Sequence, residues 1–75
     1  MQAYADLERD SGIAAYEVGP GFIVIRFKHG GTYRYDASAP GAKHVRQMQR
    51  LARSGRGLNT YINRHVREHF AAKLA

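Results

Sequence analysis

Lys43, Arg46, Arg50 and Arg53 follow one another at intervals of three, four and three. On a helix that spacing makes one continuous stripe, and the chemistry of such a stripe is anion binding. Arg56 comes next, between two glycines, and Arg64 and Arg67 stand three apart further on. From residue 38 onward eight basic residues face Glu68 alone, whereas before it four basic residues meet five acidic ones. The formal charge of +6 is therefore carried by the second half of the chain. Such asymmetry suits a polyanionic partner, with nucleic acid first among them. Each phosphate neutralised releases counterion, so binding of this kind weakens steeply with salt. The spacing attracts a backbone only; it names no base and does not separate RNA from DNA. The competing reading is a solvated face that keeps a small protein in solution.

Other chemistries find little footing. Without cysteine there is no thiolate nucleophile, no disulfide framework and no thiolate metal site. Ser11, Ser38 and Ser54 each lack a G-x-S-x-G frame. His65 and His69 have helical spacing for one metal ion, but the run His65-Val66-Arg67-Glu68-His69 is not H-E-x-x-H and offers no third ligand. An acid–base pair would need Glu17 or Asp36 brought to Glu68. Gly30-Gly31 lacks the phosphate-loop pattern. Gly55-Arg56-Gly57 could present backbone N–H groups to an anion, although a helix stop is the plainer reading. The expectation is a non-catalytic chain with no cofactor and no metal. Tyr33-Arg34-Tyr35 admits two roles, core residues or platforms for stacked bases. Both tyrosines share a strand face with apolar residues, which favours the core and leaves Phe22 and Tyr61 as the candidate stacking residues.

These groups need elements to hold them. The longest apolar run, Phe22 to Ile25, is far short of the ~20 residues of a membrane span. The first ten residues lack the basic start and apolar centre of a signal peptide, so cytoplasm is the expected compartment and no membrane partner is expected. Residues 1–10 read as a frayed or short helical segment, and residues 11–75 as a single domain. Strands are expected over about 13–18, 22–28 and 32–36, with Pro20-Gly21 at the centre of a tight turn. Alternation pairs Val18 with Ile23, Tyr16 with Ile25, Ile25 with Tyr35 and Phe27 with Tyr33. One face is then apolar. The other, carrying Glu17, Val24, Arg26, Lys28, Thr32 and Arg34, is largely wet.

The apolar face needs a cover, and the rest of the chain is helical in pattern. Ser38 is the expected N-cap of a helix over about 40–53, with Ala42, Val45, Met48, Leu51 and Ala52 on its inward side. A second helix over about 59–73, capped by Asn59, has the apolar series Leu58, Ile62, Val66, Phe70 and then Leu74, flanked by Tyr61 and His65. The fold class expected is α+β, a three-stranded antiparallel β-meander followed by two helices packed on one face. Two basic helices joined by a short glycine-containing turn fit a helix–turn–helix loosely, with no recognition helix assignable.

The order of these strings resembles the KTSC-type domain, a small module found at the C-terminus of some lysyl-tRNA synthetases and as stand-alone bacterial proteins. The resemblance rests on Ile13 to Val18, on alternating Ile23, Ile25 and Phe27, on Gly30-Gly31 before Tyr33-Arg34-Tyr35, and on Tyr61-Ile62-Asn63-Arg64 through Phe70. It spans about residues 11–70. The chain departs from the family pattern where Ser54-Gly55-Arg56-Gly57 lies farther upstream of the aromatic position than the family's Ser-x-Gly step. The resemblance implies the same small α+β fold and, through the synthetase attachment, a role beside RNA. It supplies no list of binding residues.

The leading expectation is thus a nucleic-acid-binding module, RNA ahead of DNA, using Lys43, Arg46, Arg50, Arg53, Arg56, Arg64 and Arg67. The alternative is a small protein-interaction or adaptor domain, homodimeric through the wet sheet face or an apolar helix edge.

Overall fold

Alternating apolar residues and two glycine turns build an antiparallel sheet in the order β1-β2-β3-β4-β5. The computed structural model describes residues 1–7 and 11–75. The strands are β1 (Gln2–Ala3), β2 (Ile13–Gly19), β3 (Phe22–Phe27), β4 (Thr32–Asp36) and β5 (Ala72–Lys73). Pro20 and Gly21 turn β2 into β3, with Gly21 at φ 74, the left-handed position that a proline–glycine turn requires. Register follows as expected here: Val18 lies opposite Ile23 and Tyr16 opposite Ile25. An extra residue at Ala14 bulges β2, so that Ile13 returns to the inner face opposite Phe27. Across the next hairpin Ile25 pairs with Tyr33 and Ile23 with Tyr35. That is two residues from the expected register. A slip of two preserves the face, so the inward set is unchanged.

The sheet has five strands, which corrects the three-stranded meander. The two additional strands sit at its edges and are two residues each, too short to carry any periodic signal. β1 pairs Gln2 with Tyr16 and Ala3 with Ala15, within the segment expected to fray or form a short helix. Residues 8–10 of that segment lie outside the described residues. β5 pairs Tyr33 with Lys73 and Arg34 with Ala72, where a helix was expected to continue. Very short outer strands leave little edge for another chain to extend.

The helical layer covers the inner face. Helix α1 (Ala42–Ser54) starts from Gly41, not from Ser38. Ser38 is drawn away because its N–H and hydroxyl both bond the Asp36 carboxylate, at 2.9 and 2.6 Å. Gly55, at φ 79, ends α1 by donating to the carbonyls of Leu51 and Ala52. Helix α2 (Leu58–Tyr61) runs straight into a π-helical turn, Ile62–Val66. Its closing bond runs from the Arg67 N–H to the Ile62 carbonyl five residues back, at 2.6 Å. Leu58, Ile62 and Val66 recur every four residues, a period longer than the 3.6 of an α-helix. The wider π turn accommodates it and keeps all three buried. Arg67 then adopts φ 51 and stops the helix. The expected helix to residue 73 therefore ends at Val66; Phe70 reaches the sheet from an irregular segment to meet Tyr33, and Leu74, expected on the apolar side, is exposed.

Val45, Met48 and Ala52 of α1 close over Tyr16, Ile23, Ile25 and Tyr35. Gln49 ties this helix to the sheet by donating to the carbonyls of Gly19 and Phe22, at 3.1 and 2.8 Å. On the outer face Val24 is buried too, between its cross-strand neighbours Glu17 and Arg34. The stems of long polar side chains can shield an apolar neighbour in this way.

Tyr35, buried beneath α1, makes a testable case. Burial first, and the adjacent Tyr33 second, push its hydroxyl from 10.0 up to about 12. The folded state then holds this proton more tightly than the unfolded chain does. Its contribution is complete below pH ~10 and is lost as pH rises through the folded value. An ultraviolet titration should show a late ionisation that belongs to Tyr35. Tyr35→Phe should remove that late step.

Candidate nucleic-acid interface

The loop entering α1 sets the direction of the basic stripe. The Asp36 carboxylate accepts from the Ser38 hydroxyl and N–H and from Nε of Arg34, the last at 3.0 Å. The Asp36 carbonyl accepts from Ala39 and Gly41, both at 3.1 Å. The bonds from the Ser38 hydroxyl and then Arg34 lower the Asp36 carboxyl from 3.8 to about 2. A depressed acid contributes above its unfolded value and loses that contribution as pH falls through the folded one. The corner is therefore intact above pH ~4 and loosens as pH drops towards 2. Ser38→Ala should bring the Asp36 carboxyl back up towards the ordinary range, as read from its carbonyl resonance against pH. An unchanged midpoint would contradict the assigned cause.

From this corner α1 presents Lys43, Arg46, Arg50 and Arg53, all exposed. Three of the four meet in one place. Lys43, Arg46 and Arg50 line a shallow hollow of about 430 Å³ together with Gln47 and Tyr61. Gln47 Oε1 accepts from Nε and a terminal nitrogen of Arg50, at 3.2 and 2.8 Å. This holds the guanidinium in one orientation. Tyr61 arrives from α2 and is half-buried. Its hydroxyl lies 2.6 Å from Nδ1 of His44, and His65 stands beside its ring at 4.7 Å. The rings of His44 and His65 lie nearly parallel, 6.3 Å apart. The hollow thus has cations on its α1 wall and an anchored aromatic ring on the other.

The remaining basic residues do not join it. Arg53 lines a separate hollow with Gln2, Tyr16 and Glu17, beside β1 and β2. Arg56 lines a third with Asp6, Ser11 and Asn59. Arg67 borders a cleft floored by Tyr33 and Phe70, and Arg64 is exposed on the π turn. Phe22 is not free for stacking: the Arg34 guanidinium sits 4.3 Å from its ring centre. The ring also lies over Gly19, in the space a Cβ would fill.

Gln47 is not among the residues expected from the sequence, although its place on the same stripe as Lys43 and Arg50 is a signal that could have found it. His44 carries no such signal, because its contact with Tyr61 is made between helices. Among the described residues no three His, Cys, Asp or Glu side chains are grouped to hold a metal ion. No helix among them is long and apolar enough to cross a membrane.

Fold and site together define a small α+β domain with an arginine-walled, tyrosine-sided hollow on its helical layer. No protein-family model, curated protein or solved structure matches the chain.

Proposed function

We propose that the chain is a non-catalytic nucleic-acid-binding module, with RNA ahead of DNA as its ligand. The observation that carries this reading is the convergence of Lys43, Arg46, Arg50 and Tyr61 on one hollow. Ammonium and guanidinium groups attract the phosphate backbone, and a tyrosine ring beside them offers a base a stacking surface. A single strand uses both features at once, whereas a duplex keeps its bases stacked inside. Arg53, Arg56, Arg64 and Arg67 supply long-range attraction from neighbouring surfaces and no direct part in the hollow. A KTSC-type identity and a cytoplasmic location belong to the same proposal, the first resting on the strings quoted above.

The test is binding to single-stranded and to structured RNA at low salt, beside the protein's own association state across concentration. Binding to the single strand by a monomer supports the proposal. A dimer that binds neither RNA sinks it and supports the protein-interaction alternative.

A further inference from the structure

The cleft beside Arg67 differs in kind from the hollow on α1. Its floor is aromatic, formed by Phe27, Tyr33, Tyr35 and Phe70, and it encloses about 280 Å³. Tyr33 lies 4.6 Å from Phe70 at 52° and 5.9 Å from Phe27 at 70°, ring centre to ring centre. Tyr35 is buried and the other three are half-buried, and the Lys73 ammonium lies 5.8 Å from the Tyr33 ring centre. The rim is polar. Asn63, Arg67 and Glu68 are exposed there. Arg67 takes φ 51 and ψ −114, a positive-φ conformation uncommon for any residue but glycine. Strained backbone of this kind gathers at binding sites.

The occupant can be narrowed by charge and size. Glu68 at the rim disfavours a phosphate inside the cleft and favours a group that donates hydrogen bonds. Asn63 both donates and accepts, and Arg67 donates. An aromatic floor beneath a donor-and-acceptor rim matches the flat face and the polar edge of an unpaired nucleobase. A volume at the low end of ligand sites fits one ring system and little more. The two hollows also flank a single helical segment. Tyr61 reaches the basic one, and Ile62, Asn63 and Arg67 reach the aromatic one. A helix with its side chains is about 10–12 Å across, a span that a few nucleotides can cross.

We infer that this cleft receives one splayed base of a single-stranded nucleic acid whose backbone lies in the Lys43–Arg46–Arg50 hollow. The inference rests on the nucleic-acid reading and goes further by assigning a base pocket to Tyr33 and Phe70, with Asn63, Arg67 and Glu68 at its edge.

The experiment is a nuclear magnetic resonance titration of the intact protein with two strands of about six nucleotides. One is oligoadenylate and the other is its abasic counterpart, with the same sugar–phosphate backbone. Both strands should shift the amides of Lys43, Arg46 and Arg50. Only oligoadenylate should shift the Tyr33 and Phe70 ring resonances. Phe70→Leu should weaken oligoadenylate binding about tenfold and leave the abasic strand unaffected. If the variant does not fold, the ring resonances of the wild-type protein still decide. Shifts at α1 without shifts at the rings overturn the base pocket and leave the nucleic-acid reading standing. No shift at α1 with either strand overturns both.

Discussion

Tyr4→Ala is expected to destabilise the protein by about 3–5 kcal/mol, the usual cost of truncating a buried aromatic side chain. The total stability of a domain is only about 5–15 kcal/mol, so the variant should be largely unfolded on mild warming. Tyr4 lies in a segment that reads as polar and acidic, yet it is 7% exposed and belongs to the core. Its ring meets Tyr16 edge-on at 6.4 Å and 80°. Its hydroxyl accepts from the N–H of Leu58, the first residue of α2, at 3.4 Å. One side chain therefore joins the segment after β1, the sheet and the start of α2. The next residues follow it onto the helix joint. Leu7 donates to the Gly55 carbonyl at 2.7 Å, and a Cβ on Gly55 would come within 2.8 Å of Ala5. Thermal or urea unfolding of Tyr4→Ala beside Tyr4→Phe separates the ring from the hydroxyl. The phenylalanine variant keeps the ring and should lose less, about 1 kcal/mol for each hydrogen bond the hydroxyl makes. A Tyr4→Ala protein as stable as the wild type would contradict the docking of this segment.

The second large effect is on binding. Lys43→Gln, Arg46→Gln and Arg50→Gln combined should weaken single-stranded RNA binding by on the order of 10–100-fold at low salt. The three side chains are exposed, and Gln resembles Lys and Arg in helix propensity, so the fold should be unaffected. The useful control is Arg26→Gln, Arg53→Gln and Arg56→Gln combined, which removes the same charge from outside the α1 hollow. Its effect should be several-fold smaller. Equal losses in both variants would mean diffuse attraction by the net charge, with no site on α1.

The parts of the fold that were legible have a common property: their signal is local and repeated. The β2–β3 register follows from Pro20-Gly21 and from Tyr16, Val18, Ile23 and Ile25 in alternation. Of the expected inward face of α1, Val45, Met48 and Ala52 are buried, Leu51 is half-buried and Ala42 is exposed. What escaped depends on distant partners. Gln2–Ala3 and Ala72–Lys73 are strands only because Tyr16 and Arg34 stand ready to pair with them. Leu58, Ile62 and Val66 suggest a long helix, but nothing local marks Arg67 as its end. Ser38 is a good cap by type, and it was outcompeted by the Asp36 carboxylate two residues before it. The site divides in the same way. The stripe of Lys43, Arg46 and Arg50 could be read from spacing. Its separation from Arg53 and Arg56, and the loss of Phe22 to Arg34, depend on how the layers pack.

The most direct measurement is the slope of log affinity against log salt for a single-stranded RNA, taken for the wild-type protein and for the triple glutamine variant. Each phosphate contact on a single strand contributes about 0.7 to that slope, so the variant should be shallower by about 2. Those three contacts should account for about a 20-fold loss of wild-type affinity between about 50 and 200 mM salt. Parallel slopes for the two proteins, or no binding by the wild type at low salt, would contradict the assignment of the α1 hollow as a nucleic-acid site.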